Sequence, residues 1–327
     1  MRAMWTLSIA LVAAILAATQ RADAQEYPKA PVRLIISTGA GAAPDIIARI
    51  VAEALSKRWG QQVYVTNHPG AAGAIALKVA GSSPTDGHTL LFALSSNFVS
   101  LPEIAKDYPY DVVRDFVSIG FVCEQPIALG VPPSLGVNSL AELFAYVRSH
   151  PGQTNVAVLG RGGIPHLTAE WIKTAANLDW TAINYPGAPA GVADVLGGRV
   201  QVMIDALPSL SGAISGGQLK LLAVGSAKRL PDLPNTPTIA ETLPAIPRAL
   251  GWFALMGPPG MPAELAKKIS EDLRAVMADA AMQKRLQDIA SYPVPMSPAE
   301  LHDYIRGEQA LWRPVIEKIP AFNAPGK

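Results

Sequence analysis

A short apolar run, a glycine-rich turn, a proline and a helical pattern follow one another twice in this chain, once in each half. The first copy lies within Val32–Ala54, where the apolar run Val32–Ser37 reaches Gly39-Ala40-Gly41 and then Pro44. The second lies within Thr154–Ala175, where Asn155–Leu159 reaches Gly160-Arg161-Gly162-Gly163 and then Pro165. Proline suits the first turn of a helix, because the N–H it lacks would have no intrahelical partner there. Glycines leave neighbouring backbone amides open, and unpaired amides at the positive end of a helix attract an anion. Two such turns in one chain predict a cleft that grips one small anion from both sides, through amides at Gly41, Ala42 and Ala43 and at Gly162, Gly163 and Ile164.

The amino terminus reads as a leader outside the fold. Arg2 supplies a positive start, Leu7–Ala18 is apolar, and Ala22-Asp23-Ala24 is an A-x-A cleavage site before Gln25. That apolar run is shorter than the ~20 residues that span a bilayer. Residues 1–24 are therefore expected to be a cleaved signal peptide, and the remainder an exported, periplasmic protein without a lipid anchor. The 27 basic and 26 acidic residues nearly balance, which argues against nucleic acid as a partner, since such binders carry a basic face. Cys123 is the only cysteine, so no intrachain disulfide can form, and its apolar surroundings suit a small packed hydrophobe. The 29 prolines and 27 glycines fall mainly between periodic segments, as connections.

Strand-like runs alternate with helical patterns throughout. Strands are expected at Val32–Thr38, Gln62–Thr66, Thr89–Ala93 and Phe116–Val122, then near Ile127–Val131, Asn155–Leu159, Trp180–Tyr185, Val200–Ile204, Leu219–Val224 and Trp252–Met256. Ile47, Ile50, Val51, Ala54 and Leu55 form one apolar helical face. This alternation implies an α/β protein with mostly parallel sheets flanked by helices. A strand and helices arriving after the second unit suggest that the chain returns to complete the first. Crossings near Cys123 and near Gly225–Lys228 would then separate a first lobe, residues 25–123 plus 227–327, from a second, residues 124–226. Ligands in open α/β sheets bind beyond the carboxyl ends of the strands, where both glycine turns lie.

Several further segments are similar to one family. They are Asn67-His68-Pro69-Gly70-Ala71-Ala72-Gly73, Asp86-Gly87-His88-Thr89-Leu90-Leu91, Tyr110-Asp111, Tyr185-Pro186-Gly187-Ala188-Pro189-Ala190, Asp194-Val195-Leu196-Gly197-Gly198, Asp205-Ala206-Leu207-Pro208-Ser209 and Ala223-Val224-Gly225-Ser226-Ala227-Lys228-Arg229. With Asp45 after the first turn, and with Gly160-Arg161-Gly162 and His166-Leu167 at the second, the chain resembles a tripartite tricarboxylate transporter receptor, or Bug-type periplasmic solute-binding protein, over its whole mature length. The resemblance implies a two-lobed type II periplasmic-binding fold that closes on a small organic carboxylate and offers it to membrane permease subunits. It departs from the family's P-G-G-x-x-D at Ala40–Asp45, and from G-N-G-T-S-T-H at Gly160–His166, where three hydroxyl side chains are lost. Amide contacts survive that loss; side-chain contacts to the rest of the ligand do not.

Individual residues admit two readings each. Asp45 either contacts the ligand or caps its helix, where the dipole favours an acid anyway. His166 either touches the ligand or positions its turn. Arg161 either pairs with a second carboxylate, which suits a planar guanidinium, or is a charge on the rim. Ser95 and Ser96 end a strand on the cleft side and either donate to the ligand or make a turn, and Asp205, ending another strand, is expected to be buried or in the cleft. Trp171 and Trp252 fit core positions. G-x-S-x-G, H-E-x-x-H and G-x-x-x-x-G-K-[ST] are absent, and the five histidines lack metal-ligand spacing. The expectation is a binding protein that is not an enzyme, needs no cofactor or metal, and is a monomer. A periplasmic sensor presenting the same ligand to a signalling receptor is the alternative.

Overall fold

The computed structural model describes residues 27–104 and 110–319; the expected leader lies outside them. Strand β1 (Val32–Ile36) is buried along nearly its whole length, as a parallel strand covered on both faces must be. The helix Ala43–Trp59 covers it with Ile47, Val51 and Leu55, which are fully buried. That helix ends at Gly60 in the left-handed conformation, φ 65°, a geometry that a residue without a Cβ adopts at no steric cost.

The other strands are β2 (Val63–Asn67), β3 (Thr89–Leu94), β4 (Val117–Val131), β5 (Thr154–Leu159), β6 (Trp180–Tyr185), β7 (Val202–Ala206), β8 (Lys220–Val224) and β9 (Leu250–Gly257). They run in the order β2-β1-β3-β9-β4-β7-β5-β6, with β8 also paired to β4. The expected parallel arrangement holds for β2-β1-β3 and for β6-β5-β7. The antiparallel pairings all involve β4 or β9, the strands that run between the two groups.

The two strands expected at Phe116–Val122 and Ile127–Val131 are one strand of 15 residues. Its first part pairs with β9 as far as Pro126 opposite Leu250; from Ile127 it pairs with β7 and β8. Pro126 has no N–H to give to a ladder, and it stands where the strand changes partners. The return crossing is knitted to it: the Gly225 N–H donates to the Ile127 carbonyl at 2.6 Å, the Ala249 N–H to the Gly225 carbonyl at 2.7 Å, and the Ile127 N–H to the Ala249 carbonyl at 3.1 Å. The stretch 227–249, placed with the first lobe by the sequence reading, packs on the second sheet. Ile239, Ile246 and Ala249 share a core with Val156, Leu167 and Ile204, and Leu230 lies in the core on the opposite face. The apolar positions of this proline-rich passage are too sparse to declare a periodicity, so only packing reveals their side.

Each group of strands has a core on both faces. The last helix, Pro298–Ile316, belongs to both groups: Leu301 and Ile305 pack with Phe98 and Trp252, whereas Trp312, Val315 and Ile316 pack with the second group. Between those patches the Tyr304 hydroxyl donates to the Glu124 carboxylate at 3.1 Å. Glu308, only 1% exposed, accepts from Arg248 at 2.8 Å and from the Trp312 indole at 3.2 Å. The helix therefore ties the lobes together behind the crossings and leaves their other ends to form a cleft.

Candidate functional site

The turns after β1 and β5 are built alike, bond for bond. Gly41 and Gly162 both have left-handed backbones, φ 81° and 80°, which a side chain would strain. The Gly41 N–H donates to Asp45 Oδ2 at 2.9 Å, and the Gly162 N–H to His166 Nδ1 at 3.2 Å, each four residues ahead. The Ala42 N–H turns back to the Gly39 carbonyl at 3.4 Å and the Gly163 N–H to the Gly160 carbonyl at 2.7 Å. A Cβ at Gly163 would come within 2.9 Å of that carbonyl oxygen, so the turn closes tightly only with glycine there.

These bonds occupy four of the six amides expected at the ligand. Gly41, Ala42, Gly162 and Gly163 spend their N–H groups inside the turns. Ala43 and Ile164, the first residues of the helices Ala43–Trp59 and Ile164–Ala175, keep amides that make no hydrogen bond to any described residue. Pro44 and Pro165 come next and have no N–H to satisfy. Each helix thus presents the amide of its first residue, backed by its dipole.

Asp45 and His166 hold these turns. Asp45, 2% exposed, also accepts from the Asn67 amide at 2.8 Å and from Arg49 at 2.9 Å. Burial pushes its pKa up, but the hydrogen bonds from Arg49, Gly41 and Asn67 outweigh this and hold the carboxyl below its ordinary range. Burial, and then the nearby Arg161 charge, push the His166 pKa down. A neutral ring suits the bond from Gly162, since Nδ1 accepts there.

A cleft of about 850 Å³ opens between the two turns. Of the residues expected at the ligand, Gly41, Ala42, Ala43, Ser95, Ser96, Gly163, Ile164 and Asp205 line it, whereas Asp45, Arg161, Gly162 and His166 do not. Arg161 is exposed, and no lysine, arginine or histidine lines the cleft among the described residues. Ser95 is 4% exposed and opens the short helix Ser95–Val99, where Asn97 Oδ1 accepts from the Leu94 N–H at 2.9 Å. Sequence reading missed Gln125, Phe253 and the turn Tyr185–Pro189, all of which line the cleft. The turn had a usable signal, since it follows the carboxyl end of β6; Gln125 and Phe253 arrive through the crossing strands and had none. Cys123, Trp252 and Trp312 are fully buried, and Trp171 packs edge-on against Trp312 at 5.0 Å.

Asp205 is the one lining residue that is both acidic and buried, at 4% exposure. Oδ1 accepts from the Ala206 N–H at 2.7 Å, while Oδ2 makes no hydrogen bond to a described residue. Burial pushes its pKa up to about 6, against the Ala206 amide and the Ser209 side chain, which hold it back. No described residues form a group placed to hold a metal. No described helix is long and apolar enough to cross a membrane.

Comparison with known proteins agrees with this architecture. Residues 47–320 match the family described as tripartite tricarboxylate transporter family receptor. A UPF0065 protein of Bordetella bronchiseptica is 34% identical over 81% of this chain and 78% of its own. BugT of Bordetella pertussis is 29% identical over 98% of both chains. Among solved structures, an R. palustris protein with adipate is 30% identical with a TM-score of 0.81, covering 89% of this chain and 97% of that one. The periplasmic binding protein BugD is 26% identical with a TM-score of 0.79, covering 92% and 100%. The fold is therefore the two-lobed α/β fold of periplasmic binding proteins, and the chain belongs to the tripartite tricarboxylate transporter receptor family, the Bug-type solute-binding proteins.

Proposed function

We propose that this protein captures a small organic carboxylate in the cleft between its lobes and delivers it to the membrane permease subunits of a tripartite tricarboxylate-type transporter. It acts as a monomer in the periplasm, after cleavage behind Ala24. The lobes are residues 25–126 with 250–327 and residues 127–249, hinged in β4 at Pro126–Ile127 and at Ala249–Leu250. The observation that carries this reading is the matched pair of helix starts, whose first amides, Ala43 and Ile164, make no hydrogen bond to a described residue. An anion held by two helix dipoles needs no cationic side chain, and none lines the cleft among the described residues. The solved R. palustris relative with adipate supports carboxylates as the class.

Ala43→Pro tests the amide directly. Proline is at home at the first helical position, and Ala42 already has the extended backbone, φ −69° and ψ 154°, that precedes a proline. The substitution deletes one N–H and leaves the helix. A panel of mono-, di- and tricarboxylates should first raise the melting temperature of the wild type. Loss of one hydrogen bond to a charged group, ~1.5–3 kcal/mol, should then weaken the best carboxylate roughly ten- to hundred-fold in calorimetry. A wild type stabilised by sugars or amines and by no carboxylate would remove the proposal, as would a fully folded proline variant of unchanged affinity.

A further inference from the structure

The first amides of the two helices would hold one end of a ligand, and the cleft has a second polar feature in a different place. Along β7, side chains alternate between the faces of the second sheet. Val202 and Ile204 join the core under the helix Ile164–Ala175, whereas Met203 joins the core under the helices Ala188–Leu196 and Leu207–Ser215. Asp205 shares the Met203 face by this period. The open amide of Ile164 therefore lies on one face of the sheet, and Asp205, which also lines the cleft, lies on the other.

A carboxylate oxygen that is buried and unpaired costs free energy unless something donates to it. Oδ2 of Asp205 makes no hydrogen bond to a described residue, although its sister oxygen is bonded and the Ser209 side chain acts on the same carboxyl. Among the described residues the one further acidic residue of the lining is Asp288, exposed and paired with Lys284 at 2.7 Å. An acceptor left open inside a ligand cleft is matched by a donor on the ligand.

We propose that Asp205 is the specificity-determining residue of the cleft, and that the ligand is a carboxylate carrying a hydroxyl or ammonium group at its far end, which donates to Oδ2. The assignment rests on the carboxylate reading above and refines it. A plain apolar acid leaves Oδ2 as unsatisfied as the empty cleft does. A fully ionised dicarboxylate sets a second negative charge against it. The Asp205 carboxyl ionises near neutral pH, at about 6, so at pH 8 it is an acceptor only.

The test uses the full mature chain and calorimetry at pH 8. The probes are straight-chain acids of three to six carbons, each as the plain acid, the terminal hydroxy acid and the terminal amino acid, with adipate added. The wild type should bind a hydroxy or amino acid of one chain length at least roughly tenfold more tightly than the plain acid. Asp205→Asn keeps the shape and the Oδ1 acceptor but turns a donor into the cleft. It should weaken the hydroxy or amino probe roughly ten- to hundred-fold, leave the plain acid nearly unchanged and strengthen adipate. Plain acids that bind the wild type as tightly as their substituted partners at every length would overturn the Asp205 assignment alone. So would a folded variant that weakens all probes equally. No binding by any acid would overturn the carboxylate reading and this one with it. If the variant does not fold, the wild-type comparison between matched acids still decides.

Discussion

Burial of Asp205 costs the ligand-free protein stability once the carboxyl ionises, and the cost follows pH with a definite sign. The perturbation is Asp205→Asn, measured without ligand. In the unfolded chain an aspartate ionises near ~3.9; in the fold burial raises this to about 6. A raised carboxyl pKa means that the folded state prefers the neutral acid. Its stabilisation is therefore full below ~3.9 and lost as pH rises through 6. A tenfold change in proton affinity corresponds to ~1.4 kcal/mol, so ionised Asp205 costs the folded wild type about 3 kcal/mol at neutral pH relative to pH 4. Asparagine does not titrate. Its oxygen still accepts from the Ala206 N–H, and its unpaired N–H₂ carries a penalty of ~1–3 kcal/mol that is the same at every pH. Urea unfolding of both proteins from pH 4 to pH 8 isolates the effect, because other titrations cancel in the difference. Stability of the variant minus that of the wild type should rise by about 3 kcal/mol, mostly between pH 4 and pH 6. A difference that stays flat, or falls as pH rises, would show that Asp205 is solvated or paired and would refute the reasoning.

Asp45→Ala removes the acceptor for Gly41, Asn67 and Arg49 together and should cost ~2–4 kcal/mol at pH 7 while weakening carboxylate binding through the loosened turn. Because the Asp45 pKa is lowered in the fold, its contribution is present above the ordinary aspartate value and lost as pH falls through the folded one. A variant equally stable and equally tight in denaturant and calorimetric titrations would deny Asp45 its positioning role. At the return crossing, a Cβ on Gly225 would overlap the Ala249 carbonyl, which itself accepts from Ile127. Gly225→Ala should therefore destabilise by about 3 kcal/mol or more, since backbone has to move; a melting temperature within error of the wild type would contradict the close approach.

Local pattern carried much of this protein. The strand–turn–proline–helix order around Gly41 and Gly162 depends only on near neighbours: glycines for left-handed backbone, proline where no N–H is needed, and a helical face of Ile47, Val51 and Leu55. It therefore read directly as two helix starts at the ends of two strands. The order of the motifs, from Asn67–Gly73 to Ala223–Arg229, led equally well to the family. Tertiary structure decided three things that no window of sequence contains. Which amides stay open depended on side chains four residues ahead, Asp45 and His166, turning back to close Gly41 and Gly162 and leaving Ala43 and Ile164. The side taken by residues 227–249, and the bridging of both cores by the last helix, depended on partners far along the chain. Asp205 looked like any polar residue ending a strand. Only the assembled cleft, by burying it with one oxygen bonded and the other without a described partner, set it apart.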